Sequence, residues 1–217
     1  MRALWRVFIA FGFRLLYNEL AWLYDPVSWL VSLGHWRQWQ RTALPHLPRQ
    51  GRVLEVGFGP GHLLVDLAAA GYQPVGLDLS RAMLRQARRR LRRQGLPLVL
   101  CWGRASALPF STQAFDAAIL TFPAPFVYDR DWIHHLARVL RPGGRLVVVE
   151  QAWFTRRDAL AEGLEWLYRI TGQRGPPSNL PSLLEAAGLT TWRKSVDLDG
   201  SCTGLIVAKK GTGGPES

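Results

Sequence analysis

The spacing of apolar residues changes character about a quarter of the way along the chain. Over residues 1–48 it is helical: Leu4, Phe8, Phe11 and Leu15 share one side while Arg2 and Arg6 take the other. Trp22, Trp29 and Trp36 then repeat every seven residues, a stripe whose usual use is packing. Pro45 and Pro48 close this helical cap. From Arg52 short unbroken apolar runs alternate with longer helical ones. The runs predict strands at 53–56, 74–78, 98–102, 115–121, 145–150, 190–196 and 203–209. Helices are predicted at 62–70, 81–94, 131–140, 158–170 and 181–187, with Ser80 as an N-cap and Gly71 and Gly95 as stops. Strands without polar alternation, separated by helices, specify a mostly parallel sheet covered on both faces. The expected organisation is a cap over 1–48 and an α/β domain over 49–210. A helical lid is inserted at 151–180, and the polar tail 211–217 is expected to be disordered.

Composition removes several classes. With 217 residues, 48% of them apolar, the chain can bury a core. Two cysteines, Cys101 and Cys202, exclude a disulfide framework and suit a reducing, cytoplasmic compartment. No cysteine–histidine cluster has zinc spacing, His134-His135 being a lone pair in a helix, so no metal is expected. The apolar run at 7–13 ends at Arg14 without a small-residue cleavage site, and no run of 18 uncharged apolar residues exists. A signal peptide and a membrane span are therefore not expected.

The net charge of +11 comes from 24 arginines and 3 lysines against 16 acids. Such charge suits a nucleic-acid or anionic membrane partner. Seven of the arginines lie on the 81–94 helix, whose other side reads as buried, so a solvated face accounts for them. The helix at 1–16 is aromatic and basic. It is expected to cover its own domain as a lid, with peripheral contact to an anionic surface at the inner membrane face as a second role.

The chemistry concentrates in the first strand-to-helix turn, Gly57-Phe58-Gly59-Pro60-Gly61. In an open parallel sheet ligands bind beyond the carboxyl ends of the strands, where glycines admit a ligand to the backbone. A nicotinamide fingerprint needs glycine at the sixth position, which is His62, and no Gly-Lys-Ser/Thr follows for a Walker loop. Glu55 stands two residues before the loop, and Asp78 ends the second strand, where a carboxylate can take both hydroxyls of a ribose.

Read together, Val53-Leu54-Glu55-Val56-Gly57-Phe58-Gly59-Pro60-Gly61 and Val75-Gly76-Leu77-Asp78-Leu79-Ser80 resemble the class I S-adenosylmethionine-dependent methyltransferases. Ala107-Leu108-Pro109-Phe110, Phe115-Asp116 and the stretch 136–150 fit the same family, over residues 51–209 in all. The resemblance implies a Rossmann-like, seven-stranded, mostly parallel sheet with helices on both faces and an N-terminal helical lid. It implies S-adenosylmethionine as cofactor, with the 57–61 loop, Phe58 included, at its methionine portion and Glu55 near the amino end. It further implies Asp78 at the ribose, Leu79 and Met83 flanking adenine, the Ala105 backbone at the adenine edge, and Thr121 at the end of the fourth strand. Where the family often has an acid to accept from adenine, this chain has Arg104, which cannot accept.

A sulfonium methyl is already activated, so the side chains mainly have to align the acceptor. Tyr24, His35 and Tyr128 are the candidate bases, with Tyr17 and His62 behind them; His62, opening a helix, reads as structural. Nucleic-acid amino-methyltransferases carry Asn or Asp, two prolines and an aromatic after the fourth strand. Thr121 and Ala124 break that pattern in Thr121-Phe122-Pro123-Ala124-Pro125-Phe126, which reads as an apolar wall. No cysteine lies there for a covalent cytosine mechanism. The arginine face of the 81–94 helix is expected to point away from the strand ends, which ranks nucleic acid second. Tyr24 and Trp29 are expected over the cofactor, and Trp166, Leu167 and Tyr168 over the acceptor. That lining favours a small apolar or amphiphilic acceptor, lipid- or quinone-like. Two other readings stay open: an RNA methyltransferase, and a domain that binds the cofactor without transferring methyl.

Overall fold

The computed structural model describes residues 12, 14–97, 99–156, 158–170 and 178–212. Most of the helix expected at 1–16, and residues 213–217 of the expected tail, lie outside the described residues. Strands β1 (Arg52–Val56), β2 (Gln73–Asp78), β3 (Leu100–Trp102), β4 (Phe115–Thr121), β5 (Leu140–Phe154), β6 (Leu189–Leu198) and β7 (Ser201–Lys210) form one seven-stranded sheet. Its order is β3-β2-β1-β4-β5-β7-β6, parallel from β3 through β5, with β7 antiparallel to both β5 and β6. The helices are α1 (Tyr24–Val31), α2 (Trp36–Arg41), α3 (His62–Ala69), α4 (Arg81–Arg93), α5 (Arg130–Val139), α6 (Ala159–Ile170) and α7 (Leu180–Ala186).

Each central strand is apolar on both sides because each side is covered. One face packs Leu54, Val75, Leu77, Leu120 and Val148 against Trp132, Ile133 and Leu136 of α5 and Leu180 and Leu184 of α7. The other packs Val53, Ala117, Ile119, Val147 and Val149 against Leu63 and Leu67 of α3. The connections run from β1 toward β2 on one side and from β4 toward β5 on the other. The order of connection therefore reverses between β1 and β4, which is where a crevice opens at the strand ends.

Two expected boundaries are corrected. β5 does not end at 150: after a register shift between Val149 and Gln151 it continues pairing with β7, Ala152 opposite Thr203 and Phe154 opposite Ser201. The segment expected to be a helical lid from 151 is therefore strand as far as Phe154, because β5 takes its extra length from the β6–β7 hairpin. β3 begins at Leu100 rather than 98 and pairs with β2 over Gly76, Leu77 and Asp78 alone. Among the described residues no helix is long and apolar enough to cross a membrane, and no group of three metal-ligating side chains occurs.

Candidate active site

β1 delivers the chain into a loop whose three glycines all have positive φ, +74° at Gly57, +54° at Gly59 and +82° at Gly61. They serve different ends. A Cβ on Gly57 or Gly59 would meet nothing within 4 Å, whereas one on Gly61 would sit 2.7 Å from the Ala87 Cβ of α4. The first two glycines thus keep the space before the loop open, and the third lets the loop pack on α4. The Phe58 side chain turns away from that space into a cluster with Leu64, Ala87 and Leu91.

Asp78, at the end of β2, is buried beside the loop. Its Oδ2 accepts from Gly59 N at 2.9 Å and its Oδ1 from Ser80 N at 2.7 Å. Burial pushes the carboxyl up, while the N–H groups of Ser80 and Gly59 pull it back. A carboxylate has about four acceptor positions, so two remain for hydroxyls of a ligand. Ser80 caps α4, accepting from Met83 N at 3.2 Å, and donates its own proton to the Tyr17 carbonyl.

Leu79 is 59% exposed at the mouth, beside Trp102, whose indole N–H donates to the Leu79 carbonyl. The Arg81 guanidinium covers the Trp102 ring at 4.3 Å. Arg104 is exposed and Ala105 half-buried in the turn after β3. Met83 is fully buried beneath Ala21 and Tyr24.

Glu55 is fully buried, and neither carboxylate oxygen has a hydrogen-bond partner among the described residues. Burial, reinforced by the nearby charges of Asp78 and Asp66, holds its carboxyl well above the usual range. An orphaned buried carboxyl is costly, and a cationic group of a ligand would relieve it. S-adenosylmethionine fits this set. Its ammonium would answer Glu55, its ribose Asp78 and its adenine the exposed Leu79, and the cleared space at Gly57 and Gly59 would admit it to the backbone. When bound, it supplies a methyl group on a positively charged sulfur, already activated for transfer.

Above the end of β4 the cap supplies an aromatic wall. Trp36 lies 4.5 Å from Phe122 between ring centroids, Trp39 5.5 Å from Phe154, and Tyr24 6.4 Å from Trp36. Phe122 has φ +50°, a left-handed conformation that costs a bulky residue energy and turns the chain sharply beyond Thr121. Gln40 donates to Thr121 Oγ1 at 3.1 Å, and its amide oxygen is buried without a partner among the described residues. Sequence reasoning missed Gln40 altogether; its only signal was a polar residue beside a tryptophan stripe.

The candidate bases do not converge. Tyr24 is buried against Tyr17, and burial, with the neighbouring Tyr17, raises its hydroxyl well above the ordinary value, so at neutral pH it is a donor. His35 hydrogen-bonds Gln38 at 3.0 Å and stacks on Trp39. Tyr128 is 42% exposed.

Three placements differ from expectation. Trp29 and Trp22 are exposed, so of the stripe only Trp36 packs into a cluster. Of the aromatics in α6, Tyr168 is buried and donates to the Val31 carbonyl at 2.5 Å, while Trp166 faces solvent. The arginines of α4 do not all point away from the strand ends. Besides Arg81, Arg90 donates to the Pro60 carbonyl and to Asp25 Oδ2, the latter at 2.6 Å. Asp25 Oδ1 also lies 3.0 Å from His62 Nε2, hydrogen-bonded, so one carboxylate fastens the cap to both sides of the glycine loop.

A family model described as "Methyltransferase domain" matches residues 53–144, which spans the strands carrying this site. The chain is 37% identical over 169 residues to a demethylmenaquinone methyltransferase of Thermus thermophilus, covering 75% of this chain and 74% of that one. It is 35% identical over 142 residues to a ubiquinone/menaquinone biosynthesis C-methyltransferase of Syntrophotalea carbinolica, and spans 60% of that relative's length. Among solved structures, a Haloferax volcanii putative methyltransferase complexed with the Trm112 activator aligns with TM-score 0.62 at 20% identity, over 88% of this chain and 96% of that one.

Proposed function

The chain belongs to the class I S-adenosylmethionine-dependent methyltransferases, and we propose that the acceptor it methylates is a quinone-like ring carrying an apolar tail. The observation that carries this reading is the half-buried pair Trp36 and Phe122 beyond the end of β4, 4.5 Å apart between centroids and backed by the buried rings of Trp39 and Phe154, an apolar aromatic lining suited to an aromatic ring. The names of the two relatives support the same acceptor class. Gln40 and Thr121 are the polar pair at that wall, and their role is to orient a ring hydroxyl. Glu55, Gly57, Gly59, Asp78 and Leu79 hold the cofactor. An apolar-tailed acceptor resides in a bilayer, so the enzyme works as a peripheral visitor to the membrane face.

The test is methyl transfer from labelled S-adenosylmethionine to a short-chain demethylmenaquinol. Trp36→Ala and Gln40→Leu should each lower kcat/KM for the acceptor roughly 10–100-fold, the cost of a lost aromatic contact or of unpaired polar groups, with cofactor affinity nearly unchanged. Equal loss of cofactor affinity in both variants would show that this wall serves the cofactor instead.

A further inference from the structure

We propose that the outer side of the cap and the exposed side of α4 form one docking surface for an anionic lipid bilayer. The proposal gives a place on the molecule to the membrane visit just described and rests on that reading for its purpose. A groove of about 580 Å³ runs between residues 18–22 and α4, with Trp22 on one bank and Arg85, Arg89 and Arg93 on the other. These arginines stand four residues apart, in one row on the helix. All three are exposed and make no hydrogen bond or ion pair with the described residues, unlike Arg81 and Arg90. Glu19 is the one acid in the lining. The opposite side of α4, with Met83, Ala87 and Leu91, is buried, so the row is held rigidly outward.

The apolar half of the surface lies on the cap. Trp22, Trp29 and Leu30, within nine residues of chain, are 69%, 64% and 61% exposed; Trp22 lies in the 3-10 turn that leads into α1 and lines the groove, and Trp29 and Leu30 lie in α1 itself. Large apolar side chains grouped in this way on a soluble surface mark a contact. Arginine forks match phosphate, and tryptophan favours the level of lipid headgroups. Nucleic acid would answer the arginines but offers nothing to Leu30. A bilayer of anionic lipid answers both halves, through charge at its surface and hydrocarbon beneath.

The test uses the full chain and sedimentable vesicles, either phosphatidylglycerol with phosphatidylcholine or phosphatidylcholine alone, at moderate salt. The wild type should sediment with the anionic vesicles and far less with the neutral ones. Arg85→Gln/Arg89→Gln/Arg93→Gln should lower the partition coefficient about fivefold for each arginine. Trp22→Ser/Trp29→Ser/Leu30→Ser should lower it at least about tenfold. Both variants should keep the wild-type Tm and the wild-type rate on a water-soluble short-chain quinol. If either triple variant melts early, Arg89→Glu alone carries the test, with a loss larger than Arg89→Gln. Sedimentation of the variants like wild type, or equal binding to neutral vesicles, would overturn the proposal. So would an RNA duplex that displaces the wild type from vesicles through the same arginines. Intact vesicle binding with no transfer to any quinol would instead remove the acceptor assignment and leave the docking surface standing.

Discussion

Glu55 and Asp78 lie at the ends of neighbouring strands, and burial raises both carboxyls, but their surroundings oppose that rise to different degrees. Asp78 receives two backbone N–H groups, which favour its charged form; Glu55 receives none and is pushed toward the neutral form. Asp78→Ala should weaken S-adenosylmethionine binding by roughly 1.5–3 kcal/mol, the range for hydrogen bonds to a charged group, measured by calorimetry. Glu55→Gln should act on both binding and stability. A carboxyl raised on folding contributes stability at acid pH that is lost as pH rises above the ordinary carboxylate range. The Gln variant should therefore gain Tm over the cofactor-free wild type as pH rises above the ordinary carboxylate range, while binding the cofactor more weakly. A Tm difference that does not vary with pH would contradict the buried, unpartnered carboxyl. The glycines divide in the same way. Both Ala variants should lose stability through their positive φ, Gly61→Ala more through its clash with Ala87, whereas Gly59→Ala should add a loss of cofactor affinity.

Between elements, the joint with most consequence is the one Asp25 makes. It ties α1 to His62 at the start of α3 and to Arg90 of α4, across the mouth of the glycine loop. Burial acts to raise the Asp25 carboxyl, but His62 and Arg90 outweigh it and hold it below the ordinary value. A lowered carboxyl contributes stability above its unfolded value of about 4, and that stability is lost as pH falls through the lower, folded value. Asp25→Asn should thus flatten the acid side of the Tm–pH profile, by under about 1 kcal/mol since the pair is partly exposed. It should also speed amide exchange in α1. Unchanged exchange would mean that the cap is held by its aromatic packing alone. Asp25 could not be singled out from the sequence, because its partners lie 37 and 65 residues away. The elements themselves were legible, since strands covered on both faces leave unbroken apolar runs and Ser80 and Gly95 mark helix ends. The length of β5 was not, because residues 151–154 become strand only by pairing with β7.

In the whole molecule the sheet sets where chemistry can occur, and the proposed acceptor side is built where residues 36–40 meet the ends of β4 and β5. The glycine loop and Asp78 were readable because local backbone requirements dictate glycine and a strand-end acid there. The acceptor side was read only as apolar, since its wall joins α2, β4 and β5, far apart in the chain, and neither Gln40 nor the strained turn at Phe122 leaves a local pattern. Outward-facing Trp22 and Trp29 show the same limit: a seven-residue repeat fixes a side of a helix without saying what covers it. The most direct test of the central claim is a single-turnover reaction of the purified enzyme with methyl-labelled S-adenosylmethionine and a demethylmenaquinol. Label should enter the ring at one equivalent per site, and Asp78→Ala should slow that transfer at subsaturating cofactor. Tight cofactor binding with no label in the ring would contradict it.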